Sequence, residues 1–211
     1  MKTFDLSLYL VLDPDLCRGI GMVETARLAA EGGATMVQLR DKGANTASLI
    51  ETGRALKGAL AATGVPLIIN DDAEAAVAIG ADGVHVGQSD LAAAASRFRI
   101  GPRMILGLSV ETPDLARTVD PTIVDYVGIG PVFATSTKPD HKQPIGFDGL
   151  ARIVAVSPVP AVAIGGLKAG HAASVLAAGA QGLAVVSAIC GSRDPRASST
   201  QLLSEIEEAR R

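Results

Sequence analysis

Short runs of apolar, mostly β-branched residues recur along the chain, and each run is almost continuously apolar rather than alternating with polar positions. Such a run is typical of a parallel strand that is buried on both faces. The pattern predicts eight strands, over residues 8–12, 35–39, 66–69, 83–86, 104–108, 124–129, 161–164 and 183–186.

Stretches rich in Ala and Leu, of helical length, lie between these runs. They predict helices over residues 23–31, 47–62, 73–79, 91–98, 150–155, 172–178 and 199–209. Strand and helix therefore alternate, and dividing the 211 residues by eight leaves about 26 residues for each unit. That length holds one strand, one helix and two short loops.

Three similar stretches, residues 30–38, 78–85 and 178–184, each place a Gly and then an Ala where a helix gives way to a strand. Gly suits the left-handed position that ends a helix, because it has no Cβ. The repetition favours an α/β fold built from eight βα units, a (β/α)8 TIM barrel formed by residues 1–211 as one domain. An open doubly wound sheet is the alternative, although no Gly-x-Gly-x-x-Gly motif follows the first strand.

Composition excludes several classes of function. Hydrophobic residues make up 48% of the chain and the net charge is −3, so there is no basic excess for binding nucleic acid. No apolar run approaches the ~18 residues that would cross a membrane. The two cysteines, Cys17 and Cys190, are too few for a disulfide scaffold, and we expect a cytoplasmic protein. The oligomeric state stays open, a homo-oligomer included.

Polar residues concentrate where predicted strands end, which is the face of a barrel that carries its chemistry. The second strand ends with Gln38 and Arg40 on one face, and Lys42 follows. An inward Arg is costly unless an anion pairs with it, so Arg40 and Lys42 predict an anion site. A surface ion pair between Arg40 and Asp41 is the alternative.

Acidic residues follow the third and fourth strands. Asn70, Asp71 and Asp72 come after the third strand and Asp90 after the fourth. Each Asp could cap the next helix, and for Asp72 we favour that role. Asp71 and Asp90 lie on neighbouring strand ends, where carboxylates beside the basic residues could hold Mg²⁺ together with a polyphosphate.

The remaining strand ends predict a second anion site, built from hydroxyl groups and backbone N–H groups. Loops after the seventh and eighth strands of barrels commonly bind a monophosphate. The residues are Ser109 after the fifth strand, Thr135, Thr137 and Lys138 after the sixth, Gly165 and Gly166 after the seventh, and Val186 and Ser187 after the eighth.

Seven motifs occur together and in order, at residues 37–42, 70–72, 83–90, 107–109, 135–138, 164–166 and 186–189. With them the chain resembles the thiamine phosphate synthase family, also called thiamine-phosphate pyrophosphorylase, from about residue 8 to residue 189. The resemblance implies a (β/α)8 barrel. It also implies a transferase that joins 4-amino-5-hydroxymethyl-2-methylpyrimidine diphosphate to 4-methyl-5-(2-hydroxyethyl)thiazole phosphate, giving thiamine phosphate and pyrophosphate.

The resemblance also implies a role for each motif residue, with both substrates as small-molecule partners. Asp71 and Asp90 would hold Mg²⁺, and Ser109 and Lys138 would contact the pyrophosphate side. The pyrimidine diphosphate would contact Gln38, Arg40, Lys42 and Asn70, and the thiazole phosphate would contact Thr135, Thr137, Gly166, Val186 and Ser187. Arg40, Lys42, Ser109 and Lys138 would be the catalytic group.

Two related functions on the same fold are alternatives, a thiazole tautomerase and a non-catalytic thiamine-phosphate-binding protein. Neither needs the whole diphosphate cluster together with a metal pair. A sugar-phosphate isomerase is a third alternative, but it would need an acid–base pair inside the barrel that the sequence does not offer.

Two further expectations concern the interior and the rim. The repeat places Gln38, His85 and Ala184 at equivalent points of even-numbered strands, so His85 should point inward beneath the ligand. The loop over residues 132–146 is long and lacks a clear pattern, and we expect it to be a lid with hinges at Gly130 and Gly146.

Overall fold

The computed structural model describes residues 3–88, 93–135 and 143–211, and within these residues eight parallel strands alternate with eight helices. The strands are β1 Leu8–Val11, β2 Met36–Leu39, β3 Leu67–Asn70, β4 Gly83–Val86, β5 Ile105–Val110, β6 Tyr126–Ile129, β7 Ala161–Ile164 and β8 Leu183–Val185. Every predicted strand is therefore present, with its ends shifted by two residues at most.

Closure of the sheet distinguishes the barrel from the open sheet that was the alternative. Each strand pairs with the next in sequence order, and β1 pairs with β8, where Leu8 lies beside Leu183. A closed sheet leaves no strand edge unpaired. The predicted (β/α)8 barrel is confirmed.

The helices are α1 Met22–Glu31, α2 Thr46–Leu60, α3 Ala73–Ile79, α4 Ala93–Ile100, α5 Pro113–Arg117, α6 Gly146–Val154, α7 Ala172–Ala177 and α8 Pro195–Ala209. Two differences from the sequence pattern have a common cause. The short helix α5 was not predicted, and α8 begins four residues before the predicted position 199. Both helices start at a proline after a capping side chain, Thr112 and Asp194, a signal that apolar periodicity does not capture.

Apolar side chains pack in two layers, which explains why the strands are apolar on both faces. The larger layer lies between the strands and the surrounding helices. The smaller one fills the barrel interior, with Leu6, Tyr9, Val11, Met36, Ile68, Ile105, Tyr126, Val162 and Ala184. No helix within the described ranges is both long enough and apolar enough to cross a membrane.

The βα repeat is visible as one contact that recurs at the amino-terminal ends of the strands. Thr35, Asp82, Asp125 and Gln181 each precede an even-numbered strand, and each donates its backbone N–H to a carbonyl of the strand before, at 2.8–2.9 Å. The side chain of Asp82 also accepts the N–H of Leu67, the first residue of β3, and that of Asp125 accepts the N–H of Leu106, the second residue of β5. These repeated contacts join each odd-numbered strand to the segment that leads into the next even-numbered strand.

Candidate active site

A pocket opens at the carboxyl ends of the strands and gathers most of the predicted site residues. Ten of these residues lie in the described part of the chain, and all ten line the pocket: Gln38, Arg40, Lys42, Asn70, Asp71, Ser109, Thr135, Gly166, Val186 and Ser187. The other three, Asp90, Thr137 and Lys138, lie outside the described residues.

One side of the mouth carries the charged residues. Lys42 Nζ forms an ion pair with Asp71 Oδ2, and Asn70 Nδ2 donates to the same oxygen at 2.5 Å. Asp71 has a left-handed backbone, with φ of 64°, which is uncommon outside glycine and turns its side chain into this contact. In this structure the carboxylate predicted to hold Mg²⁺ therefore lies against a lysine predicted to contact the diphosphate.

Arg40 is half-buried in the wall of the pocket. The alternative for this residue was a surface pair with Asp41. The Asp41 carboxylate instead accepts the backbone N–H groups of Gly43 and Ala44, at 2.9 and 3.2 Å. This use of Asp41 in a local turn favours the anion-binding interpretation of Arg40.

Asp72 has the structural role that we favoured from the sequence. Its side chain accepts the backbone N–H of Ala75 at 2.8 Å, as the N-cap of α3, and its other oxygen accepts the Thr46 hydroxyl at 2.8 Å. The cap prediction is confirmed. Asp71 and Asp72 are therefore adjacent carboxylates with separate tasks, one in the mouth and one at a helix end.

Beneath the mouth, a row of buried polar side chains crosses the barrel. Gln38 Nε2 donates to Tyr9 Oη at 2.7 Å, and Tyr9 Oη lies 2.9 Å from Tyr126 Oη. His85 Nδ1 lies 2.9 Å from Tyr126 Oη, and His85 Nε2 lies 3.0 Å from Ser109 Oγ. The prediction that His85 points inward beneath the ligand site is confirmed.

Sequence reasoning missed both tyrosines of this row. Burial raises the pKa of Tyr9 and of Tyr126 well above its ordinary value, so both phenols are neutral at physiological pH. Their signal in the sequence is that they are the only two tyrosines of the chain and that each lies in an otherwise apolar strand. Glu111, which also lines the mouth, follows Ser109 at the two-residue spacing of one strand face.

Glycines shape the opposite side of the mouth. Gly165 and Gly166 both have left-handed backbones, with φ of 99° and 65°. A Cβ at Gly166 would lie 2.7 Å from the Phe133 Cβ and 2.8 Å from the Ala134 carbonyl oxygen, so only glycine lets the loop after β6 pack here. Gly165 and Gly166 both line the pocket, so backbone alone borders it at these two positions.

A helical turn follows β8 at the same side. The N–H groups of Ile189 and Cys190 both donate to the Val186 carbonyl, at 3.1 and 2.8 Å. The first N–H groups of such a turn have no partner inside it, and Ser187 is one of these residues. Backbone donors and a hydroxyl therefore meet at the position expected for a phosphate.

The base of the loop after β6 is firmly tied. Val132 and Phe133 donate their N–H groups to β7 and Gly165, while Ile145 and Gly146 donate to Pro131 and Val132, all at 2.9–3.0 Å. A Cβ at Gly130 would lie 2.0 Å from the Ile164 carbonyl oxygen, so this glycine permits close packing. The lid with hinges at Gly130 and Gly146 stays a prediction, because residues 136–142 lie outside the described residues.

An aromatic cluster supports the same loop from below. The ring of Phe133 lies 5.1 Å from that of Phe147 and 5.0 Å from that of His171. His171 Nδ1 is buried, and within the described ranges it has no hydrogen-bond partner. Burial lowers the pKa of His171, Lys168 lowers it further, and Glu205 opposes them. A neutral His171 therefore packs under the loop that borders the phosphate side.

Among the residues that the structure describes, no group of three or more His, Cys, Asp or Glu side chains could hold a metal ion by itself. Mg²⁺ does not need three protein ligands, because it usually binds one or two protein carboxylates and completes its coordination shell with substrate phosphates and water. Asp71 offers one such carboxylate at the mouth, beside Arg40 and Lys42. The donor set therefore fits Mg²⁺ brought in with a diphosphate.

A closed parallel barrel whose mouth has a charged side and a glycine-lined side is typical of enzymes that act on phosphorylated small molecules. The family model described as thiamine monophosphate synthase matches residues 8–189. The chain therefore belongs to the thiamine monophosphate synthase family.

Individual relatives agree with the family. The chain is 48% identical to the thiamine-phosphate synthase of Xanthobacter autotrophicus over 209 residues, which cover 99% of both chains. It is also 48% identical to that of Azorhizobium caulinodans, over 99% of this chain and 98% of the relative. The solved thiamine phosphate pyrophosphorylase of Pyrococcus furiosus superposes with a TM-score of 0.87 at 35% identity, covering 97% of this chain and 96% of that one.

The aromatic cluster predicts how stability depends on pH. The pKa of His171 lies below its ordinary value of 6.5, so the unfolded chain takes up this proton more readily than the folded chain. The stabilising contribution of neutral His171 is complete above about pH 6.5 and is lost as the pH falls towards the folded pKa. His171→Phe keeps an aromatic ring and removes the titration, so its melting temperature should fall less than that of wild type between about pH 7.5 and 5.5.

Thermal melts of both proteins across this range measure the effect. An equal or larger fall in His171→Phe would show that protonation of His171 does not destabilise the fold.

Proposed function

We propose that the chain is a thiamine-phosphate synthase. It joins 4-amino-5-hydroxymethyl-2-methylpyrimidine diphosphate to 4-methyl-5-(2-hydroxyethyl)thiazole phosphate, releasing thiamine phosphate and pyrophosphate. The observation that carries the proposal is that two different anion-binding sides face each other across one pocket, in a chain of this family. A coupling reaction needs both substrates bound together in one pocket, with their reacting atoms close to each other.

Each side is suited to one substrate. Arg40, Lys42 and Asn70 border the charged side, where they would bind the diphosphate, and Gln38 below them would contact the pyrimidine ring. The glycine-lined side would bind the single phosphate of the thiazole through Thr135, Gly166, Val186 and Ser187. The roles of Thr137 at the thiazole phosphate, of Lys138 at the pyrophosphate and of Asp90 as a second carboxylate remain proposals from the family resemblance.

The chemistry follows from this arrangement. The C–O bond to the diphosphate breaks first and its electron pair leaves with pyrophosphate, so a pyrimidine-stabilised methylene cation remains. The thiazole nitrogen then attacks this carbon and forms the C–N bond. Because that nitrogen carries no proton, the protein needs no general base. Its main task would be to stabilise negative charge that grows on the leaving diphosphate, and Arg40, Lys42 and Ser109, which line the pocket, would do so.

Mg²⁺ bound with the diphosphate would supply additional positive charge to the leaving group. Asp71 would hold it, and Lys42 would then be free to turn from Asp71 to the phosphate. We further propose that the enzyme acts in the cytoplasm. The thiols of Cys17 and Cys190 are both buried and unbridged, as a reducing compartment allows.

An assay with both substrates, with and without Mg²⁺, tests the function directly. We expect thiamine phosphate and pyrophosphate in equal amounts, only when both substrates are present, and faster with Mg²⁺. A protein that isomerises the thiazole phosphate but forms no thiamine phosphate would be a tautomerase, and one that binds thiamine phosphate without turnover would be a binding protein. Either result would overturn the proposal.

The two adjacent carboxylates offer a matched test of the metal ligand. Asp71→Asn removes the charge that would hold Mg²⁺ and should lower turnover at least ~10²-fold at limiting Mg²⁺, the scale of one lost electrostatic contact in the transition state. Asp72→Asn is the control, because Asn also caps helices well and the residue faces away from the mouth. Turnover near that of wild type in Asp71→Asn at limiting Mg²⁺ would rule out this metal site.

Arg40 should discriminate between the two anion sides. Arg40→Ala removes a charge-assisted contact and should weaken binding of the pyrimidine diphosphate about 10-fold or more, with little effect on the thiazole phosphate. Calorimetric titration with each substrate alone measures both affinities. Arg54→Ala, an exposed arginine on α2, is the control. Equal losses for both substrates would contradict the assignment of Arg40 to the diphosphate side.

A further inference from the structure

The row of polar side chains beneath the mouth connects two residues that belong to the proposed substrate contacts. It starts at Gln38 on β2, passes through Tyr9, Tyr126 and His85, and ends at Ser109 on β5. The first four side chains are at most 8% exposed, although Gln38, Tyr9 and His85 still border the pocket, and Ser109 is half-buried at its wall. The three middle residues, Tyr9, Tyr126 and His85, have no direct role in the proposed reaction.

Two glycines make the row possible. The strand register places Gly107 of β5 between His85 of β4 and Tyr126 of β6. A Cβ at Gly107 would lie 2.4 Å from His85 Nδ1 and 2.2 Å from Tyr126 Cζ, so any side chain there would prevent this contact. A Cβ at Gly128 would lie 3.1 Å from His85 Cε1. The interior is therefore shaped around the imidazole ring.

The hydrogen bonds of the row can all point in one direction, from Gln38 to Ser109, so that each donor has an acceptor. Gln38 Nε2 donates to Tyr9, whose single proton then goes to Tyr126. The proton of Tyr126 then goes to His85 Nδ1, so the imidazole carries its own proton on Nε2 and donates it to Ser109. The Ser109 hydroxyl has accepted a bond from below, and its own proton is directed into the pocket.

With Gln38 Nε2 facing Tyr9, as in this structure, the opposite direction leaves one proton without an acceptor in the row. Ser109 would donate to His85, His85 to Tyr126, and Tyr126 to Tyr9. The proton of Tyr9 would then face the N–H of Gln38 inside the barrel. An unsatisfied buried donor costs about 1–3 kcal/mol, which favours the first direction. Since both phenols are neutral, the row orders protons without carrying charge.

We propose that Tyr9, Tyr126 and His85 are positioning residues that hold the Ser109 hydroxyl as a hydrogen-bond donor towards the pocket, in a direction set by the Gln38 amide. The reason for such an arrangement rests on the proposed function. Oxygen of the leaving diphosphate gains negative charge as the C–O bond breaks. A hydroxyl that already points its proton at this oxygen stabilises the charge without reorganising.

The first test reads the His85 tautomer directly and needs no substrate. Long-range ¹H–¹⁵N spectra of the labelled protein at about pH 8 distinguish protonation at Nε2 from protonation at Nδ1. The chain has three histidines, so the spectrum of His85→Gln identifies the signal of His85. We expect the Nε2–H tautomer. The Nδ1–H tautomer would overturn the proposal, whether or not the protein catalyses the coupling.

The role of Gln38 is tested by Gln38→Glu, which has the same shape but, once ionised, only accepts hydrogen bonds. Tyr9 would then donate to the carboxylate, and the row should reverse, with His85 changing to the Nδ1–H tautomer. A series of spectra from about pH 6 to 10 follows this change as the carboxylate ionises. If His85 keeps the same tautomer throughout the series, Gln38 does not set the direction.

The last test asks whether the row acts through Ser109. Tyr126→Phe keeps the ring and removes the linking hydroxyl, so kcat should fall about 10-fold while KM for the pyrimidine diphosphate changes less than about 3-fold. In a Ser109→Ala background the same substitution should change kcat less than about 2-fold, because the group on which it acts is gone. Equal losses in both backgrounds would show that Tyr126 is merely structural.

Ser199→Ala provides the matched control for loss of a buried hydroxyl. The Ser199 hydroxyl donates to the Pro195 carbonyl at 2.8 Å within α8, away from the pocket. We expect Ser199→Ala to leave kcat unchanged relative to its own background, whether that background is the wild type or Ser109→Ala. A fall as large as that of Tyr126→Phe would mean that loss of any buried hydroxyl lowers turnover, and the role assigned to the row would fail.

Discussion

Closure of the sheet between β1 and β8 is the constraint on which the rest of this structure depends. Because all strands are parallel and joined in a ring, every strand ends at the same mouth. Residues as distant in sequence as Arg40 and Ser187 therefore border one pocket. The charged side and the glycine-lined side come from opposite parts of the chain, and only the closed barrel holds them at a fixed separation.

The same closure limits what the interior can contain. An enclosed polar side chain must find its hydrogen-bond partners among other enclosed side chains, because water does not reach it freely. Tyr9, Tyr126 and His85 satisfy one another, and Gly107 leaves the space in which two of them meet. A single row thus fills the floor of the pocket, joins five of the six strands from β1 to β6 and ends on Ser109, which lines the pocket.

Much of the fold and the composition of the mouth could be predicted from the sequence, since unbroken apolar runs and polar strand ends are local patterns. The floor could not, because the contact between His85 and Tyr126 depends on the register of three strands. The pairing of Lys42 with Asp71 depends on the left-handed backbone of Asp71, which the sequence does not reveal. Asp90, Thr137 and Lys138 stay predictions, because they lie outside the described residues.

The distribution of charge, with ionised side chains at the rim and neutral phenols on the floor, fits a reaction that separates charge within the pocket. Breaking the C–O bond creates an anion and a cation together, and the two need different surroundings. The rim would offer the anion the positive charge of Arg40 and Lys42. The floor would offer the pyrimidine two neutral phenols, with no ionised tyrosine to compete with the thiazole nitrogen for the cation. Burial raises the pKa of both phenols and so keeps them protonated. The thiazole nitrogen would therefore be the nucleophile that attacks the methylene cation.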